Sequence, residues 1–393
     1  MATPATIAMI RRLVGFDTTS RESNLALVDF VRAFLEDLGV ESELVHDESG
    51  QKANLYATFG PKDRGGICIS GHTDVVPVDG QEWATEPFAL AEKDGKLYGR
   101  GTADMKSWIA VALVFAPEFA RRRLETPIHL AFSYDEEIGC LGVRGLIARL
   151  SERPHKPALC IVGEPTEMKV ARAHKGKHSY RCRVSGLEAH SALTHKGVNA
   201  VEAAAELVAR LKAMARQRRD HGPHDDAYDP PYTTVHTGVI RGGTALNIVP
   251  KACSFDFEFR HIPSDPPEAL FEEVRAYAER ELLPEMRRVS GAAGFAFDPL
   301  SVIPALDAAE DAPVTQFVKA LTGANSTTTV AFGTEGGLFE RAGMPTVVCG
   351  PGSIAQAHKP NEFITLEQVA LAESFMRRLV DHASRHGPES SRA

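Results

Sequence analysis

The chain lacks cysteine pairs, long apolar runs and any basic excess, and each absence removes a class of protein. Its six cysteines (Cys68, Cys140, Cys160, Cys182, Cys253 and Cys349) are scattered, with no Cys-x-x-Cys spacing. That argues against a disulfide framework and a thiolate metal site. Reduced thiols in a cytoplasmic protein are the expectation. No stretch reaches 18 uninterrupted apolar residues, so no membrane-spanning helix is expected. Met1 to Phe16 is broken by Arg11 and Arg12 and reads as no targeting segment. Lys and Arg total 44 against 52 Asp and Glu, a net charge of −8. That balance argues against a nucleic-acid partner. No internal repeat is visible.

What is present is an ordinary globular composition, 43% hydrophobic and 24% charged. At 393 residues the chain is too long for one core, so two domains are expected. Leu25, Val28, Val31, Phe34, Leu35 and Leu38 recur at helical spacing up to Gly39. Short apolar runs at 67–70, 128–134, 158–162 and 346–349 read as buried strands. Strands of this kind between helices predict an α/β fold with a mixed, largely parallel sheet flanked by helices. The middle has another rhythm. Strands are expected at 179–184, 233–240 and 254–260, and helices at 199–214 and 267–286. That is a compact α+β unit inserted into the first domain. The expected division is 1–175 and 301–393 for a catalytic domain and 176–300 for an inserted dimerisation or lid domain. Residues 217–231 read as a polar loop and 382–393 as a frayed tail.

Five short stretches carry metal-ligating residue types: His72 with Asp74, Asp104 in a glycine-rich loop before a helix, Glu136 with Glu137, Glu164, and His358. Three of them follow predicted strands, where ligands of open α/β sheets collect. Singly, each has a plain reading. His72 and Asp74 suit a strand-end turn, Asp104 a helix N-cap, and Glu136-Glu137 a solvated acidic turn. Together, two imidazoles and three carboxylates make a ligand set for two divalent ions, zinc or cobalt before magnesium or calcium. Glu136 and Glu137 diverge on extended backbone, which separates one ligand from one general base. His221, His224, Asp225 and Asp226 look metal-like but sit in the polar loop, without a strand-end scaffold.

Several motifs carry a wider resemblance: Gly71-His72-Thr73-Asp74-Val75-Val76-Pro77, Gly99 to Lys106, Asp135-Glu136-Glu137-Ile138-Gly139 and Gly163-Glu164-Pro165-Thr166. Phe332-Gly333-Thr334-Glu335 and Cys349 to Ser353 before Ala357-His358 complete them. The chain resembles the M20 family of co-catalytic metallopeptidases and deacylases over nearly its whole length. One departure is Ser107, where relatives often carry glycine. The resemblance implies that His72 and Glu164 hold one ion and Glu137 and His358 the other, with Asp104 bridging. Asp74 would orient His72, and Glu136 would be the general base. His190, in the inserted domain, would reach the partner's site within a homodimer; its plain reading is a cap on the following turn. Asn247 and Arg260 match substrate-contacting positions, and Glu335 is expected either to face a cationic substrate amine or to cap its own loop. The implied reaction is removal of the acetyl group from N2-acetyl-L-ornithine, a step in arginine biosynthesis. Succinyl-diaminopimelate, other N-acyl amino acids and dipeptides are the alternatives. A catalytically dead binding or assembly module is the reading from another class, and the intact Glu136 and ligand set argue against it.

Overall fold

The computed structural model describes residues 2–384. They form two compact units. The first takes the chain up to Ala173, Leu306–Thr329 and Thr334 onward. The second takes His174–Ala305 with Val330–Gly333, against the 176–300 read from sequence.

The first unit is a mixed, largely parallel sheet flanked by helices. Its strands run in the order Ser42–His46, Ala53–Phe59, Ile128–Ser133, Ile67–His72, Leu159–Pro165, Thr346–Gly350, with shorter strands beyond. The last four of these pair in parallel. They are buried on both faces, hence the unbroken apolar runs. The helix Lys106–Arg121 is buried almost all round and packs against Pro4–Val14 and Leu366–Ala383. Its Trp108 fixes the approach of helix to sheet. The indole Nε1 donates to the Ser70 carbonyl at 3.0 Å. A Cβ on Gly163 would lie 2.1 Å from the indole ring, so only glycine fits beside Glu164.

A three-stranded sheet, Phe363–Thr365, Lys96–Tyr98 and Ala91–Lys93, was not apparent in the sequence. It joins the approach to the Asp104 loop to the chain just after His358. At the C-terminal end the expectation of a frayed tail is corrected for His382 and Ala383, which close the helix Leu366–Ala383. The Ala383 carbonyl accepts from the Glu125 and Thr126 N–H groups. The rest of that expected tail, from 385 on, lies outside the described residues.

The second unit has its own core, built from a four-stranded antiparallel sheet and the helices Ala200–His221 and Pro267–Tyr277. The strand order is Thr234–Gly242, Ala252–His261, Gly176–Ser185, Gly294–Ile303. The fourth strand was missed in the sequence. For a dimer formed by this unit, the expected strand 179–184 or the expected helix 199–214 is the candidate self-complementary patch. The strand lies inside Gly176–Ser185, paired on both sides, so it has no free edge to offer. The sheet's outer strands are Thr234–Gly242 and Gly294–Ile303. The polar loop also begins later than expected, because the helix runs on to His221.

Candidate functional site

In the first unit the carboxyl ends of the parallel strands bring the candidate ligands together. His72 ends its strand, Glu164 lies near the end of the next, and Glu136 and Glu137 follow Ser133 by a tight turn. His72 is buried, and its Nδ1 faces the Asp74 backbone carbonyl at 2.9 Å. That contact places the proton on Nδ1 and leaves Nε2 as a lone-pair donor. Nε2 lies 3.0 Å from Asp104 Oδ1 and 3.5 Å from Glu164 Oε1. The other Asp104 oxygen, Oδ2, lies 3.3 Å from His358 Nε2, which is 3.0 Å from Glu137 Oε2. Asp104 therefore offers one oxygen to each of two His-plus-Glu groups.

The donors fit metal ions by spacing as well as type. Tetrahedral ligands about 2.0–2.1 Å from zinc stand ~3.4 Å from one another, close to the separations seen here. His72, Asp104 and Glu137 offer donor atoms within 4.8 Å of one another, as do His72, Glu136 and Glu164. Charge points the same way. Asp74, Asp104, Glu136, Glu137, Glu164 and Glu335 surround two imidazoles, and buried negative charge in such excess calls for cations.

The titration directions reflect that crowding. Burial, then the Asp104 charge, pushes Glu164 well above its ordinary value. Burial and the neighbouring carboxylates raise Glu136 to about 8, and burial with Asp104 raises Glu137 to about 7. Burial opposes the Asp104 charge, but His358 and His72 hold this carboxyl well below the usual range. Hydrogen bonds to Asp104 and Glu137 raise His358 to about 10.

Asp74 does more than the sequence suggested. It meets His72 through its backbone carbonyl, with carboxylate Oδ1 farther off at 3.5 Å. The carboxylate accepts from Ser20 Oγ at 2.7 Å and from the Glu136 and Glu137 N–H groups at 3.1 and 3.3 Å. It thus sets the turn on which both glutamates ride. Cys140 Sγ faces Glu136 Oε1 at 3.3 Å, a contact invisible in the sequence. Glu335 is a correction. It is 1% exposed, and its oxygens accept from Ser133 and Ser70 at 2.5 and 3.4 Å. It braces the ends of two strands, so it is not placed to meet a substrate amine.

The second unit holds His190, Asn247 and Arg260. The strands Ala189–His190 and Ile248–Val249 pair, and the Ser191 N–H donates to the Asn247 carbonyl at 3.0 Å, so His190 and Asn247 are neighbours. His190 caps the following turn, with Nδ1 accepting the Ala192 N–H at 3.0 Å. In the neutral ring the proton is then on Nε2, which makes the exposed side of this imidazole a hydrogen-bond donor. Arg260 Nε donates to Glu258 Oε1 at 3.0 Å. The His224 ring is bound to the Gly222 and Arg219 carbonyls, and the polar loop forms no metal-ligand group among the described residues.

Comparison with known proteins agrees with this geometry. The model of peptidase family M20/M25/M40 matches residues 68–382. The chain belongs to this family. It is accordingly a hydrolase of amide bonds. An M20 relative, an acetylornithine deacetylase of Pasteurella multocida, is 35% identical over 386 residues, covering 96% of this chain and 97% of its own. One from Myxococcus xanthus is 35% identical, with 96% and 97% covered. Among solved structures, an M20 family metallo-carboxypeptidase from Sulfolobus solfataricus superposes with a TM-score of 0.75. It is 17% identical over 97% of this chain and all of its own, a likeness of fold. Arg100 and Glu362, a buried ion pair between two of the ligand-bearing loops, had no signal in the sequence.

Proposed function

We propose that the protein hydrolyses N2-acetyl-L-ornithine to acetate and L-ornithine, using two divalent cations. The observation that carries the metal reading is Asp104, whose two oxygens each face a different His-plus-Glu pair. The substrate rests on two acetylornithine deacetylases, each 35% identical over nearly the whole chain. His72 and Glu164 would hold one ion, Glu137 and His358 the other, with Asp104 between them. Zinc suits this donor set best and cobalt next. When bound, the pair lowers the pKa of water and polarises the amide carbonyl.

The chain's own residues do the rest. Glu136 takes a proton from the attacking water as its oxygen adds to the amide carbon. It returns that proton to the amine nitrogen as the C–N bond breaks, so the reaction balances as amide plus water to acetate plus amine. Asp74 holds the Glu136 turn and orients His72. His190 donates from Nε2 to the carbonyl oxygen as it becomes negative. Arg260 offers a two-pronged partner for the substrate α-carboxylate, and Asn247 lies beside His190. A homodimer formed through the second unit, with His190 delivered from the partner chain, belongs to the same proposal. So do a cytoplasmic location and a place in arginine biosynthesis.

Metal analysis with a substrate panel tests this reading. Two equivalents of metal per chain are expected, with kcat/KM highest for acetylornithine among acetylornithine, succinyl-diaminopimelate and dipeptides. A preference of tenfold or more for either alternative would overturn the substrate. Turnover in thoroughly metal-free protein would overturn the mechanism.

A further inference from the structure

The two halves of the metal site are supported differently. His72 and Glu164 sit on central strands, and His72 is oriented by the hydrogen bond its Nδ1–H donates to the Asp74 carbonyl. His358 lies on a loop at a positive φ of 63°, and its side chain is about half exposed. Its position depends on what holds the loop. Asp104 likewise sits on a loop, ahead of its helix.

Both loops meet at one buried ion pair. Arg100 Nη1 and Glu362 Oε2 are 2.7 Å apart, each side chain 1% exposed. Burying two charges costs desolvation, and such a pair is a poor source of stability in itself. Its remaining contacts are specific. Glu362 Oε1 accepts from the Ala103 and Asp104 N–H groups at 2.8 and 3.2 Å. The Glu362 backbone carbonyl accepts from Gly99 at 3.0 Å. One residue therefore fixes both ends of the Asp104 loop. On the other side Arg100 donates to the Lys359 carbonyl at 3.3 Å and to Gln81 Oε1 at 2.7 Å. Gln81 Nε2 donates to the His358 carbonyl at 3.1 Å. The flat guanidinium fork makes these contacts at once, which an ammonium does not. The chain around Glu362 is also pinned by pairing of Phe363–Thr365 with Lys96–Tyr98.

We propose that Arg100, Glu362 and Gln81 form a positioning clamp that sets the distance between the Asp104 and His358 loops, and with it the affinity of one of two cation positions. The clamp serves the ion held by Asp104, Glu137 and His358. The other position shares Asp104 but takes His72 and Glu164 from the sheet, so it depends on the clamp less. This inference rests on the two-cation reading above. No residue of the clamp is itself a ligand, so its substitution acts through geometry.

Cobalt(II) titration of the metal-free full chain, followed by calorimetry and visible absorption, tests it. Wild type should take up two ions. Glu362→Gln keeps an acceptor for the Ala103 and Asp104 N–H groups but removes the charge opposite Arg100. Gln81→Ala leaves the ion pair intact and cuts its link to the His358 carbonyl. Each should weaken one of the two ions by about 10–100-fold, the usual effect of losing an outer partner of a metal ligand. The other ion, which shares only Asp104 with the clamped loops, should lose clearly less in Glu362→Gln and keep its affinity in Gln81→Ala, and Gln81→Ala should melt with wild type when metal-free. Wild-type affinity for both ions in both variants, or equal weakening of the two, would overturn the clamp. If Glu362→Gln fails to fold, Gln81→Ala decides alone. A wild-type chain that takes up fewer than two ions would instead overturn the two-cation reading.

Discussion

Glu136→Gln separates a proton shuttle from a metal ligand, and the structure says how large the difference should be. Glu136 offers an oxygen in one donor group with His72 and Glu164, so geometry alone permits either role. The substitution keeps side-chain volume. Its amide oxygen still accepts from Cys140 Sγ, and its N–H still donates to Asp74 Oδ1 at 3.1 Å. Fold and the neighbouring turn should therefore survive. The two His-plus-Glu pairs around Asp104 are complete without Glu136, so metal content should stay at the wild-type level. What is lost is a group able to take a proton. Burial and surrounding carboxylates hold Glu136 up at about 8, and nearby cations would favour its charged form. An amide has no comparable basicity at any usable pH. General-base catalysis contributes about 10²–10⁴ in rate, equal to about 3–5 kcal/mol of barrier. We expect kcat to fall by at least about a hundredfold, with KM within a few-fold. Steady-state kinetics on acetylornithine and elemental analysis of the same preparation supply both readings. A kcat within tenfold of wild type would refute the shuttle. Loss of one metal equivalent would make Glu136 a ligand.

Periodicity and strand-end placement were legible because they are local. The four parallel strands are apolar on both faces, so each stands out as a run, and the ligands sit where such strands end. Hidden features depend on contacts between distant segments. Glu335 read equally as a partner for a substrate amine or as a loop cap, and its actual partners, Ser70 and Ser133, lie 265 and 202 positions away in the chain. The strand Gly294–Ile303 was missed because its burial pattern is irregular and it is an outer strand with a register shift near Pro299. The Arg100–Glu362 pair joins residues 262 positions apart, and no window along the chain connects them. His190 shows both kinds of information. Its capping of a turn was the plain reading, and the structure contains that cap. The cap nonetheless fixes the tautomer that a donor to an oxyanion requires, so the plain reading and the functional one are the same contact.

Two further outcomes are expected. Burial holds both His129 and His174 down at about 4, whereas an unfolded histidine titrates near 6.5. The unfolded chain then binds these protons first. The stability from the two neutral rings is complete above about pH 6.5 and is lost as pH falls toward about 4, each ring contributing on the order of 3 kcal/mol at most. Urea midpoints at several pH values for wild type and His129→Phe check this, and an equally steep acid loss in the variant would refute the His129 share. His190→Ala should lower kcat strongly while metal content is unchanged, because its Nε2–H would act on charge that develops only in the transition state. Mixing His190→Ala with Glu136→Ala then asks which chain supplies the imidazole. A mixed dimer in which His190 crosses to its partner has one site with both groups intact, so part of the activity should return. Subunit exchange must be shown in the same mixture, for instance by a mass-tagged chain. Exchange without recovered activity would place His190 in the site of its own chain, and a kcat within a few-fold of wild type for His190→Ala would leave it as a turn cap only.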